Sequence, residues 1–344
     1  MIRSLGSALS LAALAVLSAC GDAAPLAAQS FPACATPMAL TAKNPAYLWT
    51  PNAVRLVSQP LAPGVFAVYD SDAPQSGPAG VPLATSGGFV IGQKEVLVVE
   101  SMINRSLFCQ LIGLVQAQTA LPIRYVVNTS SHGDHNYGNS YLPAGVRVVQ
   151  HQNTASYIAA HSAEDVAFMK SNFGTDQGLD DIRPVVADTL VPAGQTWSVD
   201  LGGVRVEARD YGFAQTGGDL FVSVPGARVL FTGNPLISER PAVPWLLDGH
   251  AEDVRTTLAR VEAGLPADAI VVPGHGRPLG GDSFRFSLDY LAAMTGAVDA
   301  AVKKGLTLEE TVAAVTLESF QGYAIWGWVH KVVNVPKTFQ ERQR

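Results

Sequence analysis

The chain has 344 residues, 48% of them hydrophobic and only 15% charged, with a formal net charge of −6. The charged share is below the roughly 25% of an average soluble domain, which argues against a disordered chain and for a well-buried body. No run of lysine or arginine is present, so a phosphate-backbone partner has nothing to bind and nucleic acid is set aside.

Residues 1–19 read as an export signal. Arg3 supplies a positive start, and residues 5–19 are uncharged and rich in Leu, Ala and Ser. That stretch of about 15 residues is short of the ~20 that a helix needs to span a bilayer. It closes in Leu17-Ser18-Ala19-Cys20, which looks like a bacterial lipobox. Lipidated Cys20 would anchor an exported protein of the periplasm or cell envelope; a plain cleaved signal is the alternative. Residues 20–60, rich in Ala, Pro, Ser, Thr and Asn, are expected to form a tether. No later segment is long and apolar enough to cross a membrane, so the lipid is the only expected anchor. An exported chain permits a bond between Cys34 and Cys109. Cys109, however, sits within Leu107-Phe108-Cys109-Gln110-Leu111 on an apolar helical face, where a free buried cysteine is common, and no bond is expected.

Residues 64–69 alternate as a strand, and 88–91 with 96–100 form a hairpin around Gly92-Gln93-Lys94-Glu95. Helical spacing over 103–119 stops before Pro122. A short apolar strand over 124–128 runs straight into Thr129-Ser130-Ser131-His132-Gly133-Asp134-His135. Residues 146–150 predict a strand and 152–173 a helix. Further strands are expected over 196–199, 203–209, 219–224 and 228–232, then a helix over 251–263. A last strand over 269–272 ends at Pro273-Gly274-His275-Gly276. Helices near 283–304 and 307–315 and an aromatic-rich stretch at 320–333 complete the chain. Two comparable halves that alternate strands and helices predict an α/β fold, a four-layer αβ/βα sandwich with extra C-terminal helices. The expected division is a signal (1–19), a tether (20–60), an α/β body (61–281) and a helical extension packed on it (282–344).

Metal-ligand chemistry gathers at strand ends. His132-Gly133-Asp134-His135 follows one strand and His275 another. Between them lie Gln215, before Thr216-Gly217-Gly218-Asp219, and Asn234, after Phe231-Thr232-Gly233. In order and context these landmarks resemble the metallo-β-lactamase superfamily, across about residues 60–280. The resemblance implies seven metal-site positions, here Ser130, His132, Asp134, His135, Gln215, Asn234 and His275. Ser130 and Gln215 stand where the family has histidine, and Asn234 stands where it has a bridging aspartate. The three-histidine pocket thus keeps only His132, whereas the Asp-His-His pocket is complete in Asp134, His135 and His275. A carboxylate bridging two cations offsets their repulsion. With one cation gone, a neutral Asn234 suffices, as a weak oxygen ligand.

The implied site is therefore a one-metal site with one Zn2+ per chain, held by Asp134, His135 and His275 with Asn234. Two imidazoles and a carboxylate are a ligand set that catalytic zinc uses with an open position for water, whose pKa it lowers toward ~7. His132 is placed to shuttle a proton, and Gln215 or Asn234 to donate to an oxyanion. Three readings stay open. The first is a metal-dependent hydrolase acting on a small-molecule ester, amide, lactone or lactam, with His132, Asp134 and Gln215 catalytic. The second is a catalytically degenerate ligand-binding protein. The third is a mononuclear iron oxygenase, which fits least because such relatives use the three-histidine side. Among the other histidines, His151 at a strand end and His330 in the aromatic stretch are expected to be structural, and His161 and His250 structural or solvated. Trp245 either lines the pocket or anchors its loop.

Overall fold

The run Val96-Leu97-Val98-Val99 is apolar on both faces, and so are Val126-Val127, Val148-Val149 and Val271-Val272. Strands of this kind are stable only with a covered layer on each side. In the computed structural model, which describes residues 29–343, they form the centres of two sheets.

The first sheet contains β1 (Leu56–Ala62), β2 (Val65–Asp70), β3 (Gly87–Ile91), β4 (Val96–Val99), β5 (Ile123–Val127), β6 (Arg147–His151) and β7 (Thr189–Val191), hydrogen-bonded in that order. Neighbours are antiparallel from β1 to β4 and parallel from β4 to β7. Its helices are α1 (Ala73–Ser76), α2 (Arg105–Gln116), the single turn α3 (Gly133–Asn136) and α4 (Gln152–Phe173). The second sheet contains β8 (Thr196–Asp200), β9 (Arg205–Arg209), β10 (Phe221–Val224), β11 (Val229–Gly233), β12 (Ile270–Pro273) and β13 (Leu279–Gly280). Its spatial order is β13-β12-β11-β10-β9-β8, with only β11 and β12 parallel. Helices α5 (Ala251–Gly264), α6 (Phe284–Lys303), α7 (Leu308–Ala314) and α8 (Val335–Glu341), with a π-helical turn over Gly327–Asn334, follow it.

Alternate residues of each strand face opposite ways, and the core divides accordingly. Leu97, Val99 and Val127 pack between the sheets against Val222, Phe231 and Val272. Val96, Val98 and Val126 turn outward onto Leu107 and Leu111 of α2. Phe221, Leu230 and Val271 turn outward onto Leu258 of α5 and Leu291 of α6. The expected four-layer sandwich with C-terminal helices is what the chain forms. Among the described residues no helix is long and apolar enough to cross a membrane.

Two expectations are corrected. From Gln29 on, the chain is not a tether. Phe31, Trp49 and Val54 are buried in the outer core of the first sheet, Phe31 against Phe108 with ring centroids 6.2 Å apart and Trp49 against Phe173 at 4.8 Å. Strand β1 also begins inside the expected tether. Its half-exposed pattern and Pro60 are those of an edge strand, which gives a weak apolar signal. The export signal and Cys20 lie outside the described residues.

The second correction concerns Cys34 and Cys109, which are joined in a disulfide. The packing of Phe31 on Phe108 brings Cys34 over α2, and a Cα separation of 5.2 Å suits a bond. Replacing both cysteines by alanine is expected to destabilise the protein by about 2–4 kcal/mol. Chemical denaturation measures this, and an unchanged midpoint would show that the bond does not secure the N-terminal segment.

Candidate metal centre

The two sheets present their strand ends to one seam. After β5, residues 128–132 carry the chain to α3, whose first turn holds Asp134 and His135. After β12, Gly274 and His275 turn back toward Thr85, which bridges to His275. After β11, Asn234 enters between them. Close backbone approach makes this possible. A Cβ at Gly274 would stand 2.5 Å from Asn234 Oδ1, and one at Gly233, where φ is +60°, would stand 2.0 Å from Thr129 Oγ1.

Asp134, His135 and His275 come together, with one ligand atom from each within 4.8 Å of the others, and all three residues are buried. Asp134 Oδ2 lies 3.6 Å from His135 Nε2 and 3.7 Å from His275 Nε2. Each group also has a further partner outside the cluster. His275 Nδ1 donates to the Leu83 carbonyl at 2.9 Å, which leaves its Nε2 for the cluster. Thr85 Oγ1 donates to Asp134 Oδ2 at 2.6 Å. His135 Nδ1 lies 3.0 Å from Glu100 Oε1, and the Thr129 hydroxyl donates to the same carboxylate. Asn128 Nδ2 and the Ser101 amide both donate to the His135 carbonyl.

Asn234 joins the two halves of the site. Its Oδ1 is 3.0 Å from His135 Nε2, and its Nδ2 donates to His132 Nδ1 at 3.0 Å. The Asn234 oxygen thus faces the Asp-His-His cluster. Ser130 is fully buried, and its hydroxyl accepts from the His132 amide. Gln215 is buried beside Thr216, Gly217 and Gly218, which form part of the cleft wall. Neither polar atom of its side chain has a partner among the described residues. Asp219 Oδ2 accepts from the Thr216 amide at 2.6 Å and so shapes the turn.

Electrostatics follow burial and charge. Burial pushes His132 down to about 4 and His275 down to about 4, although Asp134 opposes both. Burial also acts against a charged His135, but the carboxylates of Asp134 and Glu100 outweigh it and raise that ring to about 9. Burial opposes ionised Asp134 too, yet His135 and His275 hold it below its usual range. Two buried carboxylates thus need positive charge at this point, and the ring of His135 carries it. A cation at the same place meets that need, and the donor set of two imidazoles and a carboxylate, each oriented from behind, fits one.

Glu100 and Thr85 were not singled out by sequence. Glu100 only ends an apolar strand, and its φ of +66°, in the left-handed region that side-chain-bearing residues rarely occupy, has no sequence signature. Of the other histidines, His151 accepts from the Asn153 amide and faces Asp210. His330 is fully buried between Tyr290 and the Val315 carbonyl. His161 and His250 pair with Glu164 and Asp253 at the surface. Trp245 lines the cleft, its ring stacked toward His275 with centroids 6.4 Å apart.

A four-layer α/β sandwich with a buried Asp-His-His cluster at the seam of its sheets has the fold and site plan of a metallo-hydrolase. Residues 80–275 match the metallo-beta-lactamase superfamily, and the chain belongs to that superfamily. A solved metallo-beta-lactamase from Pontibacter korlensis is 18% identical, with a TM-score of 0.55 over 69% of this chain and 99% of that one. The stereoselective inverting sec-alkylsulfatase Pisa1 from a Pseudomonas species is 16% identical, with a TM-score of 0.64 over 85% of this chain. This chain spans 50% of the alkylsulfatase's length. At such identities the likeness concerns the fold.

In chelator-treated protein the histidines predict a stability maximum near their ordinary value of 6.5. Stability from the raised His135 is complete below 6.5 and is lost as pH rises through about 9. Stability from the depressed His132 and His275 is present above 6.5 and is lost as pH falls through about 4. Thermal midpoints measured from pH 4 to 10 should fall on both sides, with the alkaline arm absent in His135→Asn. A flat alkaline arm in the unaltered protein would contradict the Glu100 and Asp134 pairing.

Proposed function

We propose that this protein is a hydrolase working through one divalent cation, zinc, held by Asp134, His135 and His275 with Asn234 Oδ1 beside them. Its substrate is an ester, amide, lactone or lactam. The observation that carries the reading is the convergence of three buried, individually braced ligand atoms, next to a pocket in which Ser130 and Gln215 replace imidazoles. When bound, a divalent cation supplies Lewis acidity and makes water a nucleophile near neutral pH.

The chain's own residues do the rest. Asn234 donates to His132 Nδ1, so a neutral His132 ring carries its proton on Nε2. His132 is then a donor toward an oxygen that gains charge, and it becomes a proton acceptor only by switching tautomer. Among the described residues the Gln215 amide is unpaired, and a substrate oxygen or a bridging water would satisfy it. Glu100 fixes the His135 ring, and Thr85 fixes the Asp134 carboxylate. A non-catalytic ligand-binding role is the second reading, favoured by the replaced positions Ser130, Gln215 and Asn234.

Elemental mass spectrometry on the chain following Cys20 tests both. About one zinc per chain is expected, lost in Asp134→Ala and kept in His132→Ala. The latter should lose roughly a hundredfold or more in kcat. Two metals per chain would refute the single-cation site, and none in any variant would leave the ligand-binding role.

Export and lipid anchoring at Cys20 belong to the same proposal, supported by the Cys34–Cys109 disulfide, which suits an oxidising compartment. Palmitate labelling in a bacterial host should mark the protein and vanish in Cys20→Ala; labelling retained by that variant would refute the anchor.

A further inference from the structure

Above the metal-ligand cluster lies a cleft of about 850 Å³. Aromatic side chains from separate parts of the fold build its walls: Trp49 from the N-terminal segment, Tyr157 and Phe168 from α4, Trp245 from the loop after β11, and Trp328 from the π-helical turn. Tyr157, Phe168 and Trp328 remain 44%, 52% and 38% exposed. Large apolar side chains grouped around one opening mark a surface that receives an apolar partner. Trp245 meets Trp328 edge-on with centroids 5.5 Å apart and stacks toward His275, so the aromatic wall runs from the opening down to the cluster.

The charges of the cleft have one sign. Among the described residues no lysine or arginine lines it, whereas Glu164, Asp165 and Asp248 do, in addition to Asp134. Glu164 pairs with the His161 ring at 3.2 Å, and Asp165 accepts from the Tyr137 hydroxyl at 2.6 Å. Among the described residues none of these three carboxylates is neutralised by a lysine or arginine. A carboxylate, sulfate or phosphate on the non-reacting part of a substrate would lose water here and gain no fixed cation in return. A quaternary ammonium would meet carboxylates and aromatic faces together, the combination that attracts such cations.

We infer that the cleft selects cationic amphiphiles: esters or amides whose non-reacting part is bulky and apolar and carries an ammonium group rather than an anion. This rests on the hydrolase reading above. In the ester case the oxygen of water bonds to the acyl carbon, the ester C–O bond breaks, and the alcohol leaves with a proton from that water.

Three 4-methylumbelliferyl benzoates test it, matched in shape and differing only at the para position: trimethylammoniomethyl, neopentyl and sulfonatomethyl. With zinc-loaded protein, kcat/KM should fall in that order, with at least about a tenfold span between cation and anion. Calorimetric titration of benzyltrimethylammonium and phenylmethanesulfonate into zinc-loaded and chelator-treated protein reads the same preference without turnover. Asp248→Asn should narrow the cation-to-anion ratio by roughly threefold, the size of one exposed charge contact. If no ester is cleaved but the ammonium probe binds more tightly than the sulfonate, the hydrolase reading falls and the charge selection stands. Equal or tighter binding of the sulfonate in both forms overturns the inference, and an unchanged ratio in Asp248→Asn overturns the role of that carboxylate.

Discussion

Asp134 and Glu100 are both buried, on either side of the His135 ring, where the ends of the two sheets meet. Carboxylates taken out of water persist only beside positive charge and with their lone pairs occupied. Much of the surrounding structure answers that demand. Thr85 and Thr129 donate to the two carboxylates, and the Leu83 carbonyl turns His275 so that its Nε2 faces Asp134. Asn128 and Ser101 hold the backbone of His135. These braces come from β-strand ends and the segments next to them, so the cluster is as rigid as the sheets that carry it.

Asn234 links the two histidines of the motif without adding charge. In this place a carboxylate would add a third buried negative charge to Asp134 and Glu100, with only one imidazole cluster to balance it. The amide is neutral and has a donor as well as an acceptor. It uses the acceptor on His135 and the donor on His132, coupling the Asp134-His135-His275 cluster to His132. Among the described residues Ser130 and Gln215 have no such coupling; the first bonds its own loop and the second has no side-chain partner.

The layers outside the sandwich build the cleft rather than the cluster. The Leu48 amide donates to the Asn172 carbonyl and Trp49 packs on Phe173, which sets Tyr47 to Trp49 at the opening. Helix α4 carries Tyr157 and Phe168 on one side, and the π-helical turn carries Trp328 on the other. Such outer elements can vary while the fold is kept, which is why fold likeness to a metallo-beta-lactamase and to an alkylsulfatase leaves the substrate to the cleft.

Short-range patterns in the sequence were enough to determine strands β2 to β6 and β8 to β12 and helices α2, α4, α5 and α6, and the family resemblance implied the set Asp134, His135 and His275. The physical reason is that each of these is local: apolar runs must be buried on both faces, and a ligand motif directly after a strand must lie at a sheet end. The edge strand β1, half-exposed and broken by Pro60, and the very short β7 and β13 carry little of that signal. Only the tertiary structure decided the rest, because it depends on residues far apart in the chain. Glu100 reaches His135 across 35 positions and Cys34 reaches Cys109 across 75. The sign of the cleft's charge is likewise the sum over Glu164 and Asp165 of α4, Asp248 of the loop after β11 and Asp134 of α3, and it exists only once packing has brought them to one opening.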